Sequence, residues 1–223
     1  MLRCSRVTKS LGSKTLFADV SITVNPGEIT VLTGPSGGGK TTLLRCLSLL
    51  DSPDSGIVQL DDRVFDFNER NKHEVGIPYP YLTIVFQQLF LWPHLTNREN
   101  ILLPLDTCGD AEQEHLSRLV AKFEMANFID NYPNQSSLGQ KQRVALSRAL
   151  LLNPKYILFD EVTSALDTRR AEFVISELSD LKASGVAILL ITHDTAAGKK
   201  VGDTFYNLEN GSLQLVSQGV HQS

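Results

Sequence analysis

The sequence predicts an α/β fold, and two patterns carry this prediction. Short runs of apolar and β-branched residues alternate along the chain with segments whose apolar residues recur at helical spacing. Four of these runs end in polar groups, and the corresponding edge of an open parallel sheet is where ligands bind. A chain of 223 residues that is 42% hydrophobic also has ample apolar surface for the core of such a fold.

The elements come in an order that places a helical segment inside a sheet domain. An alternating stretch at 2–24, with turn signals at Gly12, Ser13 and Lys14, predicts an antiparallel hairpin. Between Gln88 and Asn153 the strand signal disappears and helical spacing takes over. The predicted core strands span 29–33, 81–86, 156–159 and 186–192, and the main predicted helices span 41–50, 111–126 and 140–152. We therefore expect one domain over 1–223, with the α/β core and the hairpin region in 1–87 and 154–223, and a helical subdomain in 88–153.

Composition excludes several classes of function. A formal net charge of −4 argues against binding nucleic acid or anionic lipid through net charge. Three widely spaced cysteines without a CxxC pair argue against a disulfide framework and a zinc knuckle. No signal-peptide pattern opens the chain, and no window holds about 18 uninterrupted apolar residues. The expected location is the cytoplasm, and any role at the membrane has to come through a partner.

The glycine-rich segment after the first core strand carries the strongest chemical signal. It fits GxxxxGK[ST], the P-loop, and joins a predicted strand to a predicted helix as that motif requires, although a plain glycine-rich turn is the alternative. Its glycines let backbone N–H groups curl around phosphate oxygens at a helix N-terminus. Lys40 would then reach the β- and γ-phosphates, and the Thr41 hydroxyl would bind Mg²⁺. The predicted nucleotide-binding residues of this segment are Gly34, Pro35, Ser36, Gly37, Gly38, Gly39, Lys40, Thr41 and Thr42.

Polar side chains after the other core strands complete the predicted P-loop ATPase site. Asp160 is suited to Mg²⁺, and Glu161 is suited to polarising the attacking water as a general base. Two acids after a strand are, by themselves, more often a solvated strand end, and the P-loop is what favours the catalytic interpretation. His193 can hydrogen-bond a γ-phosphate and the attacking water, although a lone histidine after a strand is usually structural. Gln87 can complete the Mg²⁺ or water shell from the neighbouring strand.

Taken in order, these motifs resemble the ATP-binding subunit of ABC transporters over nearly the whole chain. The most specific stretch, 140–167, looks like the family's signature helix, Walker B strand and D-loop, with Asp167 in the last. The resemblance implies that two subunits sandwich two ATP molecules, each between the P-loop of one and the signature loop of the other. Residues 136–140 would open the signature helix and present its N-terminus to the γ-phosphate. The signature residues acting in trans would be Ser137, Leu138, Gly139 and Gln140, after Ser136.

The resemblance also assigns the catalytic and metal-binding residues. ATP and Mg²⁺ are the implied cofactors. The implied catalytic residues are Glu161, His193 and Lys40. The implied Mg²⁺ ligands are Thr41, Gln87 and Asp160.

Three positions depart from the family pattern. The signature is usually Leu-Ser-Gly-Gly-Gln, so Leu138 brings a bulky side chain where glycine permits close approach or a positive φ. The hypothesis that follows from Leu138 is slow or weakened ATP-driven dimerisation. Leu11 stands where an aromatic residue usually stacks on adenine, and it offers apolar contact without stacking. Val162 replaces the proline that usually follows the Asp-Glu pair, which we expect to be tolerated.

The segment after the second core strand indicates a subclass. Residues 85–96, followed by Glu99, Asn100 and Ile101, are similar to the importers of polar amino acids, although other importers and lipoprotein-release systems share parts of the pattern. In the family this region borders a groove that receives a short helix from the membrane subunit. Exposed Phe90, Leu91 and Trp92 would suit that role, and burial of all three in the helical segment is the alternative.

The resemblance as a whole implies the ATP-hydrolysing subunit of an ABC importer, on the inner face of the cell membrane. The implied partners are a second copy or a paralogous ABC subunit, transmembrane permease subunits and a solute-binding protein, with no nucleic acid. One alternative is a soluble ABC-type ATPase acting on DNA or ribosomes, which would normally carry a second cassette, a coiled coil or a basic extension. Others are an export or lipoprotein-release type, and a regulatory module in which Leu138 impairs hydrolysis. The transported solute is chosen by subunits outside this chain.

Overall fold

The computed structural model of the chain describes residues 1–68, 78–161, 168–193 and 195–218, and for 168–174 and 195–197 the backbone alone. Strands dominate the N-terminal part, helices follow, and strands and helices then alternate. The elements in chain order are β1 Leu2–Leu11, β2 Lys14–Val24, β3 Ile29–Thr33, α1 Lys40–Leu47, β4 Ser55–Leu60, β5 Arg63–Asp66, β6 Leu82–Val85, α2 Asn97–Leu102, α3 Asp110–Lys122, a 3-10 turn Pro133–Gln135, α4 Leu138–Leu150, β7 Tyr156–Asp160, α5 Thr168–Ala183, β8 Ala187–Ile191, α6 Thr195–Val201, β9 Thr204–Glu209 and β10 Ser212–Gln218.

Two sheets form the frame, which confirms the predicted α/β class with an N-terminal antiparallel β region. The first sheet is antiparallel, in the order β2-β1-β4-β5. The second has the order β10-β9-β3-β8-β7-β6, and its neighbours from β9 to β6 are all parallel. The predicted hairpin is present, since Leu11 pairs with Lys14 across a turn in which Gly12 has a φ of 59°.

The central parallel strands β3, β7 and β8 are buried on both faces, which explains their largely apolar sequences. On β7, Ile157 and Phe159 face a cluster shared with α3 and α4, whereas Tyr156 and Leu158 face a cluster shared with α1 and the antiparallel sheet. This alternation follows from the two-residue period of a strand. The larger sheet therefore lies between a layer of helices and a layer formed by the antiparallel sheet and α1, and its polar strand ends are left at one edge.

The three main predicted helices all begin one or two residues earlier than the sequence predicts. The predicted helix at 41–50 is α1, which begins at Lys40 and ends at Leu47. The predicted helix at 111–126 is α3, which begins at Asp110 and ends at Lys122. The predicted helix at 140–152 is α4, which begins at Leu138 because Ser137 caps it. The signature residues Leu138, Gly139 and Gln140 thus form the first turn of the helix. None of the helices in the described ranges is long and apolar enough to cross a bilayer.

Candidate active site

The glycine-rich loop after β3 is shaped by close packing against its neighbours. Gly34 has a φ of 145°, and a Cβ built there would lie 2.2 Å from the carbonyl oxygen of Leu208 on β9. Gly39 has a φ of 94°, and a Cβ there would lie 3.3 Å from the ring of Phe17 on β2. Only glycine avoids both the left-handed strain and the close contact at these positions. The loop is therefore held between the two sheets, with Pro35 exposed at its outer bend.

The lysine at the end of this loop is folded back onto it. Lys40 is 5% exposed, and its Nζ donates hydrogen bonds to the carbonyl oxygens of Gly34 and Pro35, both at 2.9 Å. The same ammonium lies 4.0 Å from Oε1 of Glu161. The loop thus encircles a buried positive charge, as a site for phosphate requires.

The helix that follows leaves its first N–H groups available. Its N-cap residue is Gly39, and within the described residues no side chain caps that end and no acidic residue stands in the first turn. The first N–H groups of a helix have no partner inside the helix, and the helix dipole makes this end attractive to anions. The start of α1 is therefore built to receive an external anion.

Thr41 and Asp160 place two oxygen donors beside the loop. The Thr41 Oγ1 donates a hydrogen bond to Oδ2 of Asp160 at 2.9 Å, although the two residues are 119 positions apart. Asp160 ends β7 and is 6% exposed. Burial raises the pKa of this carboxyl, and the Thr41 hydrogen bond and the Lys40 charge act against that shift. The pair forms a hard, oxygen-only donor set.

Glu161 occupies a special backbone conformation at the same edge. Its φ is 53°, and its N–H donates to the carbonyl of Ile191 at 3.0 Å, which extends the pairing of β7 and β8 by one residue. Its carboxylate is 19% exposed, with Oε2 3.8 Å from Nδ1 of His193, whose own side chain is 58% exposed. The acid is therefore fixed at its backbone, and its partly exposed carboxylate lies beside an imidazole.

The structure also places the other predicted residues. Gln87 comes two residues after Val85, which pairs with Phe159, so the register brings Gln87 level with Glu161, where it is exposed. Leu11 lies at the hairpin turn and is 60% exposed. Asp167 and Val162 lie outside the described residues. The described predicted residues at 34–42 lie along the loop and the first turn of α1.

The signature residues form a separate, capped helix end. The Ser137 Oγ accepts from the N–H of Gln140 at 3.3 Å, and the Gln140 Oε1 accepts from the N–H of Ser137 at 2.7 Å. This reciprocal capping box is a sequence-encoded helix start. Leu138 is 48% exposed and is not among the residues with positive φ, so the backbone strain that its side chain could have suffered is not present. Its bulk nevertheless projects from the surface beside Gly139.

A second feature is an exposed aromatic surface after β6 with an apolar groove nearby. Phe90 and Trp92 are 56% and 52% exposed, whereas Leu91 is half-buried against the core, so the predicted exposed surface holds for two of its three residues. Nearby, a groove of 230 Å³ opens between the end of α1, β6 and α4. Its walls are mainly apolar and include Leu50, Tyr79, Leu82, Ile84, Pro104 and Ala149, together with Arg148.

The sequence did not indicate the residues that contact the glycine-rich loop and the loop after β6 from other elements. Leu208 shapes the loop at Gly34, and Arg148 donates to the carbonyl oxygens of Leu89 and Phe90 at 2.7 and 2.9 Å. Neither belongs to a local motif, and only the strand order and the helix packing bring them into place. Asn97 on α2 was also missed, and Asn100 entered only as part of the subclass pattern, although a capping-box pattern, Thr96 with Glu99, marks the start of their helix.

Comparison with known proteins gives a consistent assignment. The family model described as ABC transporter matches residues 17–164, more than half of the chain. The arginine transport ATP-binding protein ArtM of Bacillus subtilis (strain 168) is 36% identical over 220 residues, covering 96% of this chain and 89% of that protein. The glutamine transport ATP-binding protein GlnQ of Escherichia coli (strain K12) is 37% identical over 221 residues, covering 96% and 89%. A dimeric structure of a post-hydrolysis state of the ATP-binding cassette MJ0796, bound to ADP and Pi, superposes with a TM-score of 0.84 at 30% identity, covering 97% of this chain and 99% of that one.

Proposed function

The chain belongs to the ABC transporter family, and we propose that it is the ATP-hydrolysing subunit that powers uptake of a polar amino acid through separate membrane subunits. This proposal rests on the cluster at the sheet edge. The uncapped start of α1, with Lys40 and Thr41, lies there beside the carboxylates of Asp160 and Glu161. The amino-acid substrate is supported by the arginine and glutamine transport relatives, which match 96% of the chain.

Phosphate binding follows from the loop and its lysine. The ammonium of Lys40 is bonded to two carbonyl oxygens of its own loop, and phosphate oxygens are stronger partners for an ammonium than neutral carbonyls are. We expect bound ATP to take over this ammonium together with the first N–H groups of α1. The exposed Leu11 would offer the base apolar contact without aromatic stacking.

Thr41 and Asp160 are the residues that would hold Mg²⁺. Their donor set fits this ion, since Mg²⁺ prefers oxygen ligands and usually completes its shell with water and substrate phosphates. When bound, Mg²⁺ would neutralise charge that develops on the phosphate oxygens. Gln87, at the same edge, would complete the shell through its amide oxygen.

Glu161 is the proposed general base for in-line attack of water. Its carboxylate accepts a proton from the attacking water as the new bond to the γ-phosphorus forms and the bond to the ADP oxygen breaks. The buried Lys40 neutralises charge on the phosphates, and His193 beside Glu161 orients the water or the γ-phosphate.

Dimerisation and docking complete the proposed cycle. The start of α4 is exposed and is positioned by its own capping box, as a surface that meets ATP held by a second cassette would be. The groove of 230 Å³ and the exposed Phe90 and Trp92 are the proposed docking site for membrane permease subunits. Binding there would place the chain on the inner face of the membrane, with a solute-binding protein on the outer side.

The decisive test of the catalytic assignment is Glu161→Gln. We expect Mg²⁺-dependent ATPase activity to fall by about 10²- to 10⁴-fold, the usual contribution of a general base. ATP binding should persist. Size-exclusion chromatography in ATP should show a dimer, because the closed dimer persists when its ATP is not hydrolysed. Glu114→Gln, on an exposed glutamate of α3, is the matched control and should leave activity unchanged. Retention of more than a tenth of the activity by Glu161→Gln would rule out the proposed base.

The substrate assignment needs a test in cells. Loss of the chain should reduce uptake of radiolabelled arginine, glutamine or a related polar amino acid, and the wild-type chain should restore it. The Glu161→Gln variant should fail to restore uptake despite normal expression. Unchanged uptake of every polar amino acid tested would overturn the substrate while leaving the ATPase assignment intact.

A further inference from the structure

The short helix α2 carries two asparagines that are fully buried. Asn97 and Asn100 are both 0% exposed. Buried polar side chains persist where they form specific hydrogen bonds, because an unpaired buried amide is costly. The two residues are one helical turn apart, and each bonds to a different part of the molecule.

Asn100 holds the loop that carries the exposed tryptophan. Its Oδ1 accepts from the N–H of Trp92 at 2.7 Å, and its Nδ2 donates to the carbonyl oxygen of Trp92 at 3.0 Å. The same Nδ2 lies within hydrogen-bonding distance of the carbonyl oxygens of Leu95 and Thr96, at 3.1 and 3.0 Å. One side chain thus fixes both polar groups of the Trp92 backbone and closes the loop over 92–96.

Asn97 holds the approach to the signature helix. Its Nδ2 donates to the carbonyl oxygen of Phe128 at 2.8 Å and to Oγ of Ser136 at 2.9 Å. Ser136 immediately precedes Ser137, the N-cap of α4, and is itself 8% exposed. The Oδ1 of Asn97 is buried without a hydrogen-bond partner among the described residues. An apolar residue would avoid this cost, so the contacts of Nδ2 are the reason for an amide here.

The helix between these contacts is short, capped and anchored in the core. It is closed at its start by a capping box between Thr96 and Glu99, and Ile101 anchors it in the core with 0% exposure. Three residues of α-helix span about 4.5 Å. The two amides are therefore held at a constant separation.

We propose that Asn97 and Asn100 are positioning residues that make α2 a strut between the Trp92 loop and the signature serine. This inference rests on the proposed function, in which Trp92 meets a membrane subunit and Ser137 meets ATP on a second cassette. A displacement of the Trp92 loop is then transmitted through α2 to Ser136 and to the start of α4. The strut would convert docking at one surface into a change of the γ-phosphate contact at another.

The matched variants Asn97→Ala and Asn100→Ala test the strut, because both remove one buried amide from the same helix. Amide hydrogen exchange of the nucleotide-free chain is the first measurement. Asn97→Ala should accelerate exchange at 136–140 by about five- to tenfold, the factor for one net hydrogen bond, and Asn100→Ala should do so at 92–96. Acceleration spread evenly over the helical segment in both variants would show general destabilisation and overturn the proposal.

The second measurement follows signal transmission in the Glu161→Gln background. Trp92 is the single tryptophan of the chain, so its fluorescence reports on this loop alone. We expect ATP-driven dimerisation to shift the Trp92 emission in the parent protein. Asn97→Ala should abolish this shift and weaken the dimer by about tenfold, whereas Asn100→Ala should abolish the shift and leave dimer affinity within about twofold. If the Trp92 emission of the parent protein stays unchanged when ATP drives dimerisation, the proposed strut is contradicted.

A double-mutant cycle tests whether Asn97 acts through its direct hydrogen bond to Ser136 or through the general stability of the fold. If Asn97 acts through Ser136, the combined Asn97→Ala and Ser136→Ala variant should bind its partner no more weakly than Asn97→Ala does. Additive losses would assign Asn97 a structural role only. If the parent protein forms no ATP-dependent dimer, the proposed function fails, while the hydrogen-exchange comparison still decides whether the two amides hold their separate loops.

Discussion

The N-terminus of α1 and the N-terminus of α4 are built in opposite ways. At α1, the N-cap is Gly39 in a left-handed conformation, and within the described residues no side chain caps the helix. At α4, the N-cap is Ser137, and a reciprocal capping box with Gln140 satisfies the first turn. The loop before α1 also encloses a buried lysine, whereas the first residue of α4 is the half-exposed Leu138.

This difference shows how one secondary-structure feature serves two tasks. An uncapped N-terminus with a buried cation beside it favours an anion, which suits it to the proposed role of primary binding site. A capped N-terminus is stable by itself and can lie on the surface until a second molecule brings a ligand to it. The start of α1 is shaped by packing against distant residues, whereas the start of α4 is shaped by its local sequence.

The largest expected effect tests whether packing controls the loop before α1. Gly34→Ala places a methyl group 2.2 Å from the Leu208 carbonyl at a φ of 145°, so we expect the free energy of unfolding to fall by about 2–4 kcal/mol. Gly37→Ala is the control, since its φ is 73° but nothing lies within 4 Å of the added carbon. That variant should lose about 1 kcal/mol. Urea unfolding measures both, and equal losses would show that strain rather than contact governs the loop.

The next effect tests the oxygen donors beside α1. Thr41→Ala removes the hydroxyl that bonds to Asp160, and we expect Mg²⁺-dependent ATPase activity to fall by about 10- to 100-fold, as when a supporting ligand is lost. Thr41→Ser keeps the hydroxyl and should retain most of the activity. The dependence of rate on Mg²⁺ concentration should move to higher values in the alanine variant. An unchanged Mg²⁺ dependence would remove Thr41 from the metal site.

A smaller effect is expected at the other helix end. Leu138→Gly restores the family's residue, and in the Glu161→Gln background we expect ATP-dependent dimerisation to tighten severalfold as the exposed side chain is removed. The change should cost at most about 1 kcal/mol of folding stability, the helix propensity difference. Sedimentation across a range of ATP concentrations measures the dimer. A weaker dimer would mean that Leu138 contributes to the interface instead of obstructing it.

The smallest effects are expected at two partly exposed ion pairs, one at the end of α1 and one in the helical segment. Arg45 forks onto Asp51 at the end of α1, and Arg98 forks onto Asp130 in the helical segment. In each case the arginine holds the pKa of the aspartate below its ordinary value of 3.8. A carboxylate with a lowered folded pKa stabilises the fold above the unfolded pKa, and this stabilisation is lost as the pH falls through the folded pKa.

Asp51→Asn should therefore reduce stability at pH 7 by less than about 1 kcal/mol, because both partners are partly exposed to solvent. The difference from the wild type should vanish as the pH is lowered below the ordinary aspartate range. Asp130→Asn, at a more exposed carboxylate, should show the smaller change of the two. Urea midpoints measured from pH 7 down to pH 3 decide between these expectations. A difference that grows on acidification would contradict the sign.

Much of the site is predictable because its chemistry is written in adjacent residues. The P-loop, the Asp-Glu pair and the strand ends needed only local patterns, together with the rule that parallel strands end at a common edge. The predicted start of α4 at Gln140 is two residues later than the observed start, because the helix begins inside the capping box of Ser137 and Gln140. A capping pattern predicts a helix start better than the first regular apolar repeat does.

The sequence by itself determined the fold class, the family and the identity of the chemical groups. Only the tertiary structure decided that Gly34 packs against Leu208, that Thr41 reaches Asp160, and that Asn97 reaches Ser136. It also decided which apolar residues remain exposed, leaving Phe90 and Trp92 on the surface and half-burying Leu91. Local patterns specify short-range hydrogen bonding and periodicity, whereas contacts between distant residues depend on strand order, register and helix packing.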